Sequence, residues 1–345
     1  MRHSILAFAV LFSLAAAESI PAALDPDNQV VVYTSVDEIV ASDVFRTIEA
    51  KEGITVLPVY DTESTKTTGL YLRILQEADR PRADVFWNSE FSRTILLKRE
   101  GLLDRHESSA IRSIPPRFRD PEGYWTGFTV RARVLAFNTD IVKPEDVPRS
   151  ATELVSPEWK GRVAWANPMF GTTATHLGAI LACYGDDVFR GFVSDWIAAF
   201  HRAPGNSQVA NLVARGTFPL GLTDTDDVWR LKLKGEPIDA IVFDPRGKGA
   251  AFFIPNTVSV IRGAPHPQAA RTFVDALLAP EIERFLAFSA SRQIPVRKEV
   301  QTPDDLETWR DLPSIEVGYD RVADSMDRAT RLAREIMTRR VEQPR

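Results

Sequence analysis

The sequence predicts an α/β protein of two lobes, each a mixed sheet flanked by helices, with two crossover strands joining them. Three observations carry this. Short β-branched runs alternate with amphipathic stretches over residues 30–87 and again over 161–234, the order of parallel sheets with right-handed crossovers. Between the two series, residues 123–138 form one long β-rich run, able to leave one lobe and enter the other. After them, residues 240–243 and 250–261 read as return strands. The chain has 345 residues, enough for two domains of ordinary size. The first lobe is expected over 28–128 and 240–298, the second over 129–239, and a helical segment over 299–345.

Each element has a local reason. Val30-Val31-Val32-Tyr33 is continuous, β-branched and too short for a helix, so it reads as a buried strand. In residues 41–50, Val44, Phe45 and Ile48 share one helical face, and Gly53 ends the helix. Residues 54–60 and 83–87 supply two more strands around a helix at 70–78. In the second series, strands at 161–166 and 219–222 alternate with helices at 173–184, 188–200, 207–214 and 227–234. Helices at 267–278, 281–290 and 319–340 complete the chain.

Residues 1–17 combine a short basic start, an apolar run and Ala15-Ala16-Ala17, the pattern of a cleaved secretory signal peptide. The apolar run is shorter than the ~20 residues a membrane-spanning helix needs. A lipid-anchored form would need a cysteine at the cleavage site, but the one cysteine is Cys183. A periplasmic, monomeric protein without an internal disulfide is therefore expected. A formal net charge of −5 argues against a nucleic-acid partner, which would need a concentrated excess of Lys and Arg.

Candidate site residues follow from the predicted topology. In open α/β sheets ligands bind beyond the carboxyl ends of the strands, which marks the loops at 34–38 and 88–91 and so Thr34, Ser35, Asn88 and Ser89. Asp224, Asp226 and Asp227 crowd the start of a helix. One capping acid suffices there and three in four positions repel one another, so at least one is expected to serve a partner. Gly171-Thr172-Thr173 lies between a strand and a helix, and suits either an ordinary N-cap or an anion site. Thr34 and Ser35, from the opposing lobe, favour the anion. His176 is a secondary candidate donor to it. Of Trp87, Trp165 and Trp229, two are expected in the core and one at the cleft. The loop at 244–249 lacks P-loop spacing and reads as an exposed hinge loop.

A set of strings in fixed order then points to a family. Val32-Tyr33-Thr34-Ser35, Pro81-Arg82-Ala83-Asp84-Val85-Phe86-Trp87, Glu100-Gly101-Leu102-Leu103, Pro157-Glu158-Trp159-Lys160-Gly161-Arg162-Val163, Gly216-Thr217-Phe218-Pro219 and Ile294-Pro295-Val296-Arg297 together resemble extracellular solute-binding proteins (family 1) of ABC importers. The nearest branch is the ferric-iron-binding one, with hexose-phosphate and phosphonate relatives. The resemblance spans residues 30–300 and implies a periplasmic-binding-protein-like (type II) fold that closes around a solute and delivers it to an inner-membrane ABC permease. It implies a receptor, not an enzyme.

Residue by residue, the resemblance departs at the iron ligands. The relatives' histidine after the first strand falls at Asp37, their glutamate after the third strand at Ser89 with Glu90 beside it, and their paired tyrosines at Asp226 and Asp227. Carboxylates bind hard cations but discriminate among them less than phenolates do. The first reading is therefore a small polar cargo, phosphorylated, phosphonate-like or zwitterionic, with no resident cofactor. The alternative is ferric iron or another hard cation held by Asp37, Glu90, Asp226 and Asp227, with an anion as co-cargo. A periplasmic hydrolase is disfavoured: there is no Gly-x-Ser-x-Gly elbow and no His-Glu-x-x-His motif.

Overall fold

A computed structural model describes residues 28–61 and 67–342. The expected signal peptide lies outside the described residues. The first series gives β1 (Gln29–Thr34), α1 (Glu38–Glu52), β2 (Thr55–Tyr60), α2 (Thr68–Gln76), β3 (Val85–Asn88), α3 (Ser92–Arg99), β4 (Leu103–Asp104) and α4 (Ser109–Arg112). The long strand β5 (Thr126–Asn138) follows, then α5 (Ala151–Leu154), β6 (Val163–Ala166), α6 (Gly171–Ala199), β7 (His201–Ala203), α7 (Asn206–Ala214), β8 (Leu220–Asp224), α8 (Thr225–Lys232) and β9 (Ile238–Val242). The chain ends with β10 (Phe253–Ile261), α9 (Pro267–Leu277), α10 (Pro280–Phe288), β11 (Ile294–Pro295), α11 (Asp304–Arg310) and α12 (Tyr319–Glu342).

Two mixed sheets share β5. Its first half pairs antiparallel with β10 and β11, and the sheet continues through β3, β1 and β2, with β1 parallel to both. Its second half pairs antiparallel with β8 and β9, and the sheet continues from β8 through the parallel strands β6 and β7. All thirteen residues of β5 are buried, as the trunk of both sheets requires. β9 lies on the second-sheet half of β5, so the chain returns to the first sheet after Val242, slightly later than the boundary expected at 240. The return is made by a turn whose amides are gathered by one carboxylate. Asp244 accepts from the N–H groups of Arg246 (2.8 Å), Lys248 (3.0 Å) and Ala250.

Apolar residues fill the space between sheets and helices. In the first lobe Phe45 meets Trp87 edge to face and Phe128 packs on Trp87 at a tilt, and Trp165 meets Trp196 edge-on in the second. The expected helices at 173–184 and 188–200 are the two arms of α6, which breaks between them at Gly185, whose φ of 76° and ψ of 179° are not helical and are open to glycine. α12 lies across both lobes. It seats Val322 and Ala323 in a buried cluster with Phe91, Ile95 and Trp125 of the first and Ala179 and Ala182 of the second. No helix of the described residues is long and apolar enough to cross a membrane.

Candidate functional site

The carboxyl ends of β1 and β3 face the N-termini of α6, α7 and α8 across a narrow cleft. The first lobe contributes Asp37 and Ser89, β5 contributes Arg131, and the second lobe contributes Gly171, Thr172, Thr173, Asn206, Asp224, Asp226 and Asp227, among others.

The acidic cluster is the centre of this cleft. Asp224, Asp226 and Asp227 each offer a carboxylate oxygen, all within 4.8 Å of one another. Asp224 stands at the N-cap position of α8, but its side chain makes no capping bond. It accepts instead from Arg133 Nη1 (2.7 Å), Thr172 Oγ1 (2.5 Å) and Asn206 Nδ2 (3.1 Å). Arg131 Nη1 lies 3.1 Å from Asp226 and 4.0 Å from Asp224. Thr223 Oγ1 donates to Asp227 at 3.2 Å, and Arg230 stands 3.5 Å from it. Capping alone therefore does not account for the three acids.

Electrostatics follow from this crowding. Burial pushes Asp227 up to about 8, helped by Asp226, Asp224 and, from the other lobe, Asp37; Arg230 opposes the shift only in part. Burial lowers the Arg131 pKa, but Asp226, Asp224, Asp227 and Asp37 outweigh it and leave the value raised. Two lobes thus place four carboxylates around one guanidinium. At the start of α6 the first helical bond runs from Ala174 N–H to Phe170 O, so the N–H groups of Gly171, Thr172 and Thr173 stay outside the ladder. Thr173 Oγ1 donates to Asn206 Oδ1 at 3.2 Å, which joins this helix start to that of α7.

Several expected site residues lie beneath the cleft instead of lining it. Glu90, a metal candidate in the sequence, is fully buried and committed elsewhere: it accepts from the N–H groups of Ser92 (2.5 Å) and Arg93 (2.9 Å), from Asn88 Nδ2 and from Thr175 Oγ1. It caps α3 and ties it to α6. Asn88 bridges Ser35, Glu90 and Thr94, and Thr34 Oγ1 accepts from Val36 N–H. Ser35 holds Ser89 in place, donating to its Oγ at 3.0 Å and accepting from its N–H at 2.9 Å. His176 does not reach the cleft. Its ring is stacked on Phe252 and beside Trp196, and burial first, with Arg133 second, keeps it neutral, well below the usual imidazole range. Trp87, Trp165 and Trp229 are all core, where one was expected at the cleft.

Arg131, Arg133 and Asn206 are the site residues that sequence reasoning missed. A signal for the arginines exists: Val130-Arg131-Ala132-Arg133-Val134 puts two charges on one face of a buried strand, and buried charges need partners. Asn206 carries no comparable mark.

The fold and cleft define a two-lobed α/β binding protein of the periplasmic type. A family model described as bacterial extracellular solute-binding protein matches residues 81–322, and the chain belongs to that family. Iron uptake protein A1 of Synechocystis is 25% identical over 280 residues, covering 78% of this chain and 77% of the relative. The Fe(3+)-binding periplasmic protein of Serratia marcescens is 26% identical over 150 residues, 44% of each chain. Among solved structures, iron-bound HitA from Pseudomonas aeruginosa superposes with a TM-score of 0.81 at 24% identity, over 89% of this chain and 99% of the other. The ferric binding protein from Campylobacter jejuni gives 0.80 at 20% identity with the same coverage. These structural likenesses establish the shared fold. As a member of this family the chain is a solute-binding receptor of the ABC-importer type.

Proposed function

We propose that this receptor takes up a hard metal cation, of the ferric class named in its relatives, between Asp37 on one lobe and Asp226 and Asp227 on the other. A small co-anion sits at the free N–H groups that open α6, and Asp224 is a fixed anchor. The observation that carries this is the crowding of three carboxylates within 4.8 Å, with Asp37 facing them, in a site where Asp227 stays protonated up to about 8 without a cation. Like charges so placed repel one another, and an added hard cation with oxygen ligands relieves the repulsion. The relatives named for iron support the same reading, and put the cation ahead of the phosphorylated solute that the sequence alone favoured.

The second reading, an anionic or zwitterionic solute, draws on one specific feature. Arg131 lines the cleft, is 7% exposed, and carries a buried Nε–H without a partner among the described residues. In either case cargo touches both lobes, so it binds the closed form better and shifts an open–closed equilibrium. Export by a signal peptide, residence in the periplasm, hand-over to a permease and the absence of catalysis belong to this proposal.

Calorimetry separates the readings. Fe(III) presented as its nitrilotriacetate complex, with and without carbonate, is expected to bind the wild-type protein, and the Asp226→Asn/Asp227→Asn variant to lose at least tenfold in affinity. Binding of phosphate esters without any metal response would overturn the cation reading in favour of the second.

A further inference from the structure

α3 and α6 both begin at the cleft, one in each lobe, and α12 lies against both. Ser89 lines the cleft just before α3, and Gly171, Thr172 and Thr173 line it as the first turn of α6. The lobes meet between these two helix starts, where Thr175 Oγ1 of α6 donates to Glu90, the cap of α3, at 3.1 Å. Any rotation of one lobe on the other therefore changes how α3 sits relative to α6.

α12 is fixed to the hinge and to α6. β5 passes from the first sheet to the second between Ala132 and Arg133, and Arg133 N–H donates at 3.1 Å to Phe252 O, where the other crossover returns. Residues 313–315 pair at the same place: Ala251 N–H donates to Pro313 O (2.7 Å) and Ile315 N–H to Ala251 O (2.9 Å). Tyr319 Oη then donates to Phe253 O at 3.3 Å. From this anchor α12 runs along α6, with its backbone close against Gly178 and with Ala329, Leu332 and Ala333 in one buried cluster with Leu177, Ile180 and Leu181. Close-packed apolar contact of this kind holds α12 to the second lobe.

Against α3 the contact has a large polar part. Asp320, Asp324 and Asp327 recur at i, i+4 and i+7, one stripe of the helix. Asp327 pairs with Arg93 at 3.2 Å, Asp324 pairs with Arg99, and Asp320 stands 3.6 Å from Arg99 and accepts from it through its backbone carbonyl at 3.2 Å. The three acids are exposed, so these pairs contribute little to folding. They are nevertheless made in the arrangement in which the lobes meet, and sliding α3 over α12 parts them.

We infer that Arg93 and Arg99 set cargo affinity from outside the cleft, by pairing with the acidic stripe of α12 and so weighting the arrangement in which the lobes are together. Neither arginine lines the cleft. Apparent affinity scales with the fraction of molecules in the binding-competent arrangement, so a change on the far side of α3 reaches the cargo without a contact to it. The coupling depends on lobe closure and not on what the cargo is.

The test uses small-angle scattering of the cargo-free protein beside calorimetry with Fe(III) nitrilotriacetate. Asp324→Arg/Asp327→Arg sets like charges against Arg99 and Arg93, and is expected to extend the cargo-free protein and weaken Fe(III) binding about tenfold, the order of two exposed pairs lost. Adding Arg93→Asp and Arg99→Asp restores opposite charges and is expected to restore both readouts. Asp324→Asn/Asp327→Asn, nearly isosteric at exposed positions, is expected to give a smaller shift in the same direction and serves if the reversal does not fold. Scattering that is unchanged in these variants, or a lowered urea midpoint without extension, would overturn the inference and leave the pairs a merely structural role. Extension that the restored charges fail to reverse would overturn it as well. If wild-type protein does not bind Fe(III), the cation reading fails, and the scattering of the cargo-free variants still decides the role of α12.

Discussion

Arg131 and Arg133 leave the same face of β5, and that spacing explains how three aspartates, two of them buried, can crowd together. Arg133 and Asp224 are each 1% exposed and meet at 2.7 Å, a pair whose partners lie 91 residues apart in the chain. Removing one member of such a pair strands the other charge in the core. Arg133→Met is therefore expected to cost about 3–5 kcal/mol in urea unfolding, and adding Asp224→Asn to recover part of the loss. Additive losses would contradict the pairing. Asp227 gives a second expectation at this scale. Its pKa is raised from 3.8 to about 8 in the folded chain, so the folded state holds a proton that the unfolded state releases. Stability from this group is present at low pH and is lost as pH rises from about 4 through about 8. The cargo-free wild type should lose stability relative to Asp227→Asn across that window, by at most about 1.4 kcal/mol per pH unit. Parallel pH curves for the two proteins would show that Asp227 is not held protonated. At this scale the sequence was only half legible. The acids announced themselves because three crowd one helix start. Glu90 looked like a ligand by position, and only three-dimensional contacts reveal that its oxygens are taken by α3 amides.

At the scale of elements, the strand and helix order was legible because periodicity of two and of 3.6 is local. β1, α1, β2, α7 and α9 lie close to where their apolar patterns place them. α3 and the short strands β4, β7 and β11 were not foreseen, since two or three residues carry no period and α3 depends on the Glu90 cap. The seat of α12 on α6 was equally hidden, because it includes a close backbone approach at one glycine. A Cβ at Gly178 would stand 3.0 Å from Val322 O and 3.1 Å from Met326 Cα, both backbone atoms that cannot swing aside. Gly178→Val is expected to lower stability by about 1–3 kcal/mol and to free α12 to hydrogen exchange before the rest of the chain. Unchanged protection of α12 would show that the close approach is not what holds it.

At the scale of the molecule, α12 reaches both lobes by different means. Its apolar face packs on α6, while Asp327 pairs with Arg93 at 3.2 Å and Asp324 pairs with Arg99, both arginines on α3. The two-lobed architecture itself was legible in the long strand at 123–138, because only a strand serving two sheets needs so many buried residues in a row. The cargo was not, because it depends on how Arg131 and Arg133 divide the carboxylates among themselves and a ligand. The most direct check of the cation reading is to purify the protein from its native compartment without refolding and to measure metal by plasma mass spectrometry beside organic ligands by native mass spectrometry. Close to one hard cation per chain is expected, lost in the Asp226→Asn/Asp227→Asn variant. Metal-free protein carrying a stoichiometric organic phosphate would contradict it.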